Sequence, residues 1–234
     1  MKIAVMGTGP VGQALAGKLS ELGHQVTVGT RDPEETLART EPDYMGNPPF
    51  KAWMDAHPQV GLATPAEAAG EAELVVNATN GAGSLAMLEA AGEQNLAGKV
   101  LVDVANPLDF SQGLPPSLFV SNTDSLGEQI QRRLPETRVV KALNTMNCEV
   151  MVDPSKVPGE HDVFLCGEDE AAKQQVTELL RSFGWRAERI RDLGAISSAR
   201  GTEMYLPLWL RLWGAVGTGY FNIAVVHAPA SWSS

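Results

Sequence analysis

Lys2-Ile3-Ala4-Val5-Met6-Gly7-Thr8-Gly9-Pro10-Val11-Gly12-Gln13-Ala14-Leu15-Ala16-Gly17-Lys18-Leu19 reads as strand, glycine turn and helix in immediate succession. Residues 2–6 form a short apolar run of the kind a buried parallel strand shows. Residues 13–19 carry apolar side chains at helical spacing. Between them lies Gly-x-Gly-x-x-Gly, and that context turns a common pattern into a dinucleotide-binding prediction. The first glycine allows the tight turn. The second lets the backbone approach a pyrophosphate, and the third lets the helix pack on the strand. The helix N-terminus then offers free N–H groups and a partial positive charge to the phosphates.

The next strand, His24-Gln25-Val26-Thr27-Val28-Gly29, ends in Thr30-Arg31. A chain selective for NAD usually places Asp or Glu at this tip, on the adenosine ribose. A carboxylate there would repel a 2′-phosphate. A hydroxyl followed by a guanidinium would bind it through charge-assisted hydrogen bonds. The pair predicts NADP(H). Asp32 reads as the N-cap of the following helix, with Pro33 at its first position.

Further along, apolar runs alternate with helical patterns, the mark of a doubly wound α/β sheet. Strands are expected at 60–63, 74–79, 100–105, 138–143 and 163–166. Helices are expected after Thr64, whose Glu67 completes a capping box, over 125–134 and 170–183, and over 196–212 at the end. The segment 41–58 is irregular and rich in proline, with Tyr44, Phe50 and Trp53; part of it, 50–54, reads as helix. With no linker or repeat, the 234 residues read as one Rossmann-type domain with a C-terminal helical extension over about 190–234.

Composition narrows the function. A net charge of −10 argues against nucleic acid and anionic membrane surfaces. The chain starts on its first strand, leaving no room for a targeting peptide, and Cys148 and Cys166 fit a reducing compartment; a cytoplasmic location is expected. The apolar stretch 204–226 is interrupted by Arg211, Pro207 and several glycines, short of the ~20 clean apolar residues of a membrane span. It reads as a buried helix or a dimer interface. His24, His57, His161 and His227 are scattered, so no metal site is expected.

Ligands of open α/β sheets bind outside the carboxyl ends of the strands. The expected cofactor-contacting set is therefore Gly7, Thr8, Gly9, Pro10, Val11 and Gly12, with Thr30 and Arg31, then Asn77, Ala78, Thr79 and Asn80. It continues with Ala105, Asn106 and Pro107, and with Asn144 and Thr145. Any single asparagine here could equally be a turn residue bonding its own backbone. No nucleophile constellation appears, and no catalytic side chain is assigned. Lys141 reads as a strand-end charge. Without an acid–base pair, hydride transfer between NADPH and a second redox coenzyme remains feasible, because it can run on positioning and stacking. A mostly apolar second pocket would suffice. Its expected lining is Met146, Asn147, Leu206, Pro207 and Phe221, whose alternative role is core or dimer packing. A sensor that binds NADP(H) without turnover, or a reductase of a small carbonyl or imine, also fits these residues.

Residues 1–12, Val28-Gly29-Thr30-Arg31 and Val140-Lys141-Ala142-Leu143-Asn144-Thr145 resemble the NADPH-dependent reductases of the deazaflavin coenzyme F420. The ending, Gly201-Thr202-Glu203-Met204-Tyr205-Leu206-Pro207-Leu208-Trp209 with Phe221-Asn222-Ile223, resembles a bacterial branch of NADP oxidoreductases. The resemblance spans nearly the whole chain. It implies NADP at Thr8, Gly9, Val11, Gly12, Thr30 and Arg31. It implies a deazaflavin lying against the nicotinamide, bordered by residues 144–147 and about Phe221, and a homodimer packed through C-terminal helices. Archaeal members have His and Pro where this chain has Asn144 and Asn147, and compact members lack the insertion at 42–58. These departures bear on the hydride partner, which could be the deazaflavin, a flavin or a small carbonyl or imine compound.

Overall fold

The computed structural model describes residues 1–42 and 46–228. The chain opens with β1 (Lys2–Met6), α1 (Pro10–Glu21), β2 (Gln25–Gly29) and α2 (Pro33–Ala38). It continues through α3 (Phe50–Ala56), β3 (Gly61–Ala63), α4 (Pro65–Glu71), β4 (Leu74–Asn77), α5 (Gly81–Ala91), α6 (Glu93–Leu96) and β5 (Val100–Asp103). A small ribbon, β6 (Leu108–Asp109) and β7 (Ser117–Leu118), precedes α7 (Leu126–Arg133), β8 (Arg138–Ala142) and α8 (Cys148–Val152). The last elements are β9 (Val163–Gly167), α9 (Glu170–Ser182), β10 (Ile190–Asp192), α10 (Ala199–Met204) and α11 (Leu206–Val216).

Six strands pair in parallel in the order β3-β2-β1-β4-β5-β8. This is the doubly wound Rossmann arrangement, with its crevice where the order reverses beside β1 and β4. The two outer strands depart from a purely parallel sheet. β9 runs antiparallel to β8, and β10 is parallel to β9. Alternation along each strand divides the core. Ile3 and Val5 face α1, α3, α8 and α9. Ala4 and Met6 face α4, α5, α6, α7 and α10. Both faces are covered, so the central strands are apolar on both sides.

The expected caps form. Asp32 Oδ1 accepts from the Glu35 amide at 2.8 Å, and Thr64 with Glu67 makes a complete capping box. β4, β5 and β8 end one or two residues earlier than the sequence suggests, so residues 78–80, 104–107 and 143–147 are already loop at the carboxyl edge. Residues 80–83 open a helix, with Asn80 the N-cap of α5. The expected helix 196–212 is a 3-10 turn (Ile196–Ser198), then α10 and α11 on either side of Tyr205. Pro207, with no N–H to continue the ladder, accounts for the break. In the 41–58 insertion, Phe50 joins the core and Trp53 stacks on His57 at 4.2 Å beside Gly17 of α1. This part is packed against α1; Tyr44 lies outside the described residues. Among the described residues no helix is long and apolar enough to cross a membrane, and no cluster of metal-ligating side chains occurs.

Candidate active site

The glycine turn is built as the motif requires. Gly7 has φ +118°, and its amide bonds the Gly29 carbonyl at 3.1 Å. A Cβ on Gly7 would lie 2.6 Å from the Ala78 carbonyl oxygen, and one on Gly12 only 2.1 Å from the Gly7 oxygen. Gly9 is different: a Cβ there would meet no protein atom within 4 Å. Its side faces open space. Gly9 is the N-cap of α1, and no side chain caps the helix; its first turn holds no acidic residue. Helices α2, α4, α5, α7, α8 and α9 have a side-chain cap, whereas α3, α6, α10 and α11, like α1, have none; α1 alone of the uncapped helices follows the glycine turn. An uncapped N-terminus beside open space is suited to an anion.

A cleft of about 750 Å3 runs from this turn along Thr30, Arg31 and Asp32, between α2 and the Ala78–Asn80 loop. Arg31 is exposed in it and, among the described residues, has no ion-pair partner. Asp32 is committed to capping α2. The Thr30 hydroxyl is less open than its position suggested, since it is buried and shares a hydrogen bond of 2.9 Å with Thr36. Thr36 and Arg39 also line the cleft, the latter paired with Glu35 at 2.8 Å. Neither was anticipated, although Asp32, Glu35, Thr36 and Arg39 follow helical spacing from the cap and so share a face. Pro10 lines a second cleft of about 520 Å3 that adjoins the first at Thr8, Gly9, Thr36 and Arg39. Val11 packs against the core.

The strand-end asparagines act on the protein itself. Asn77 is fully buried. Its Nδ2 donates to Ser84 Oγ at 3.1 Å and Asp103 Oδ1 at 2.9 Å, and its Oδ1 accepts from the Thr79 hydroxyl at 2.7 Å. It holds the loop from within, and Ala78, Thr79 and Asn80 line the cleft. Asn106 and Asn144 make a reciprocal pair: Asn106 Nδ2 donates to the Asn144 carbonyl at 2.8 Å, and Asn144 Nδ2 donates to Asn106 Oδ1 at 2.9 Å. The pair ties the loops after β5 and β8 together. Leu143, at φ +63°, makes the left-handed step that turns the chain into Asn144, an uncommon conformation for a bulky residue. Ala105 and Pro107 are buried beneath these loops.

Thr145 is buried, and its hydroxyl has no hydrogen-bond partner among the described residues. Met146 lies in the core rather than open to a pocket, and Leu206 is likewise buried. Asn147 caps α8 through the Glu149 amide at 2.9 Å. The segment after α11 returns to this corner: a Cβ on Gly219 would lie 2.9 Å from Asn147 Nδ2, and Phe221 stacks on Trp209 at 5.3 Å. Trp209 Nε1 and the Tyr205 hydroxyl are buried without partners, and burial pushes the Tyr205 pKa up. The structure thus brings Asn147 and the 219–221 segment together, with Trp209 beside Phe221. Pro207, half-buried, begins α11.

Lys141 is a fully buried ammonium rather than the strand-end charge its sequence suggests, bonded to Asp103 at 2.9 Å and Glu203 at 2.8 Å. Its residue type and position on an apolar strand carry no signal of these partners, which lie 38 and 62 positions away in sequence.

The chain matches a family model described as NADP oxidoreductase, coenzyme F420-dependent, over residues 2–107. It is 30% identical over 218 residues to the F420-dependent NADP reductase of Methanothermobacter marburgensis, covering 91% of this chain and 92% of that one. It is 29% identical over 212 residues to rat metalloreductase STEAP3; the match covers 89% of this chain but only 38% of that protein's length. A crystal structure provisionally assigned as an F420-dependent NADP reductase, from Arthrobacter sp. FB24, superposes with a TM-score of 0.92. It shares 59% identity over 97% of this chain and 100% of that one.

Proposed function

The chain belongs to the family of coenzyme F420-dependent NADP oxidoreductases, and on that premise we propose that it carries hydride between NADP(H) and a deazaflavin of the F420 type. The observation that carries the cofactor half is the uncapped α1 N-terminus at Gly9, opening onto the same cleft as Arg31, which has no ion-pair partner among the described residues. We assign the pyrophosphate to the amides of the glycine turn and the 2′-phosphate to Arg31, with Thr30 and Thr36 beside it. The nicotinamide is assigned to the strand-end loops at residues 105–107, Asn144 and Thr145.

Bound NADPH supplies the hydride from its nicotinamide ring. The chain's own part is to hold two rings in contact and keep water out. Net reduction of a deazaflavin takes one hydride and one proton; no side chain is assigned to the proton, and solvent supplies it. The second ring is assigned to the corner formed by Asn147, Trp209 and Phe221. In this reading NADPH and F420 mixed with the purified protein show rapid loss of the deazaflavin absorbance, much faster than reduction of FMN. Tight NADPH binding with neither acceptor reduced would overturn the assignment.

The same reading includes a homodimer. Leu208, Trp213 and Val216 of α11, with Tyr220, Val225 and Val226, are exposed apolar side chains of the C-terminal segment, the kind of surface that marks an interaction site when it is continuous. Light scattering is expected to give twice the chain mass, and Trp213→Glu to shift it toward one.

A further inference from the structure

The buried cluster around Lys141 joins the two halves of the proposed site. Asn77, Asp103, Lys141 and Cys166 are register neighbours on β4, β5, β8 and β9. The ammonium's three donors are met by Asp103 Oδ2, Glu203 Oε1 and the Ala105 carbonyl, so its capacity is filled. Asp103 Oδ1 also accepts from Asn77 Nδ2 and the Ala105 amide. Glu203, on α10, reaches the N-terminus of α7 and accepts from the Leu126 and Gly127 amides at 2.8 and 3.0 Å. Burial opposes the charge on Lys141, but the carboxylates of Asp103 and Glu203 outweigh it and raise its pKa. Buried ion clusters often stabilise a fold no better than apolar residues of the same size. Stability alone is therefore a poor reason for this one.

Its connections suggest another. Ala105, held at both its amide and its carbonyl, immediately precedes Asn106 and Pro107. Asn106 is paired to Asn144, three residues beyond Lys141. Glu203 lies three residues before Leu206, the start of the helix that carries Trp209. We propose that Lys141 is a positioning residue for hydride transfer: its ammonium ties the Ala105–Pro107 loop to α10 and so sets the nicotinamide seat relative to the second ring. This rests on the function proposed above.

The test is the double variant Lys141→Met/Glu203→Gln, which removes the tie and leaves the net charge of the cluster unchanged. It is read by affinity for adenosine 2′,5′-bisphosphate, affinity for NADPH, and the single-turnover rate of F420 reduction at saturating NADPH. The bisphosphate reaches Arg31 and the glycine turn but not the nicotinamide seat, and its affinity is expected to stay within about twofold. The rate is expected to fall roughly 10–100-fold, the range for a misplacement near 1 Å, and the NADPH affinity roughly tenfold, as for one lost hydrogen bond to the nicotinamide end. A native-like rate with a lowered melting temperature, or parallel losses for both ligands, would overturn the proposal. Glu203→Gln alone, which keeps Lys141 with Asp103, is expected to show the same split at smaller size and carries the test if the double variant does not fold. A native protein inert toward F420 would sink the functional reading instead; the ratio of the two affinities would still decide the role of Lys141.

Discussion

Replacing Gly9 with alanine is expected to leave the melting temperature close to native and to remove most of the affinity for NADPH and NADH alike. Gly9 sits at φ −74° and ψ 177°, which alanine adopts freely. Its added methyl would touch none of the described residues. Among these, it leaves the fold alone and meets what approaches the turn from outside. If the pyrophosphate lies on the α1 N-terminus, the methyl separates it from the amides. Each charge-assisted hydrogen bond lost is worth about 1.5–3 kcal/mol, or roughly 10–150-fold in affinity. Gly12→Ala makes the contrast, because its methyl would lie 2.1 Å from the Gly7 oxygen. The backbone of the turn must move, so stability falls by about 1–3 kcal/mol as in other overpacked sites, and binding falls with it. Thermal melts and titration of both nucleotides separate the two. Native-like binding by Gly9→Ala would remove the phosphates from this turn.

Arg31→Ala is expected to weaken NADPH by about 1.5–3 kcal/mol, one hydrogen-bonded charge pair, and to leave NADH unchanged. The guanidinium is exposed in the cleft and has no ion-pair partner among the described residues, so its removal breaks no ion pair there. Asp32 does not compete for it, being held at the cap of α2. Arg39 is a partial substitute at most, since Glu35 already neutralises it. Paired titrations check this. Equal losses for both nucleotides would mean that Arg31 serves general binding and does not read the 2′-phosphate.

The first βαβ unit was legible because its signals are local. Glycine spacing, strand hydrophobicity and the Asp32–Pro33 cap all fall within about thirty residues and all agree. The carboxyl-edge loops were legible as a group, because apolar strands end there in small polar residues. What each residue does was not. Asn77, Asn106 and Asn144 have the same side chain in similar places, yet their bonds run to Ser84 and Asp103 or to each other. Those partners are chosen by strand order, which no local pattern states. Lys141 was misread for the same reason: its carboxylates come from β5 and α10, and only the folded sheet brings them together. The reversed direction of β9 was equally hidden, because an apolar run reads the same in a parallel or an antiparallel pairing. Met146 and Leu206 look like pocket residues by composition, and the core claims them by burial.

If the protein works as proposed, hydride passes directly between two rings held together at the carboxyl edge. Single-turnover reduction of F420 by NADPH deuterated at one or the other face of its nicotinamide C4 reads that passage. One face alone is expected to deliver its deuterium, and the label is expected to appear in the reduced deazaflavin without dilution by solvent hydrogen. Loss of the label to water, or equal transfer from both faces, would contradict it.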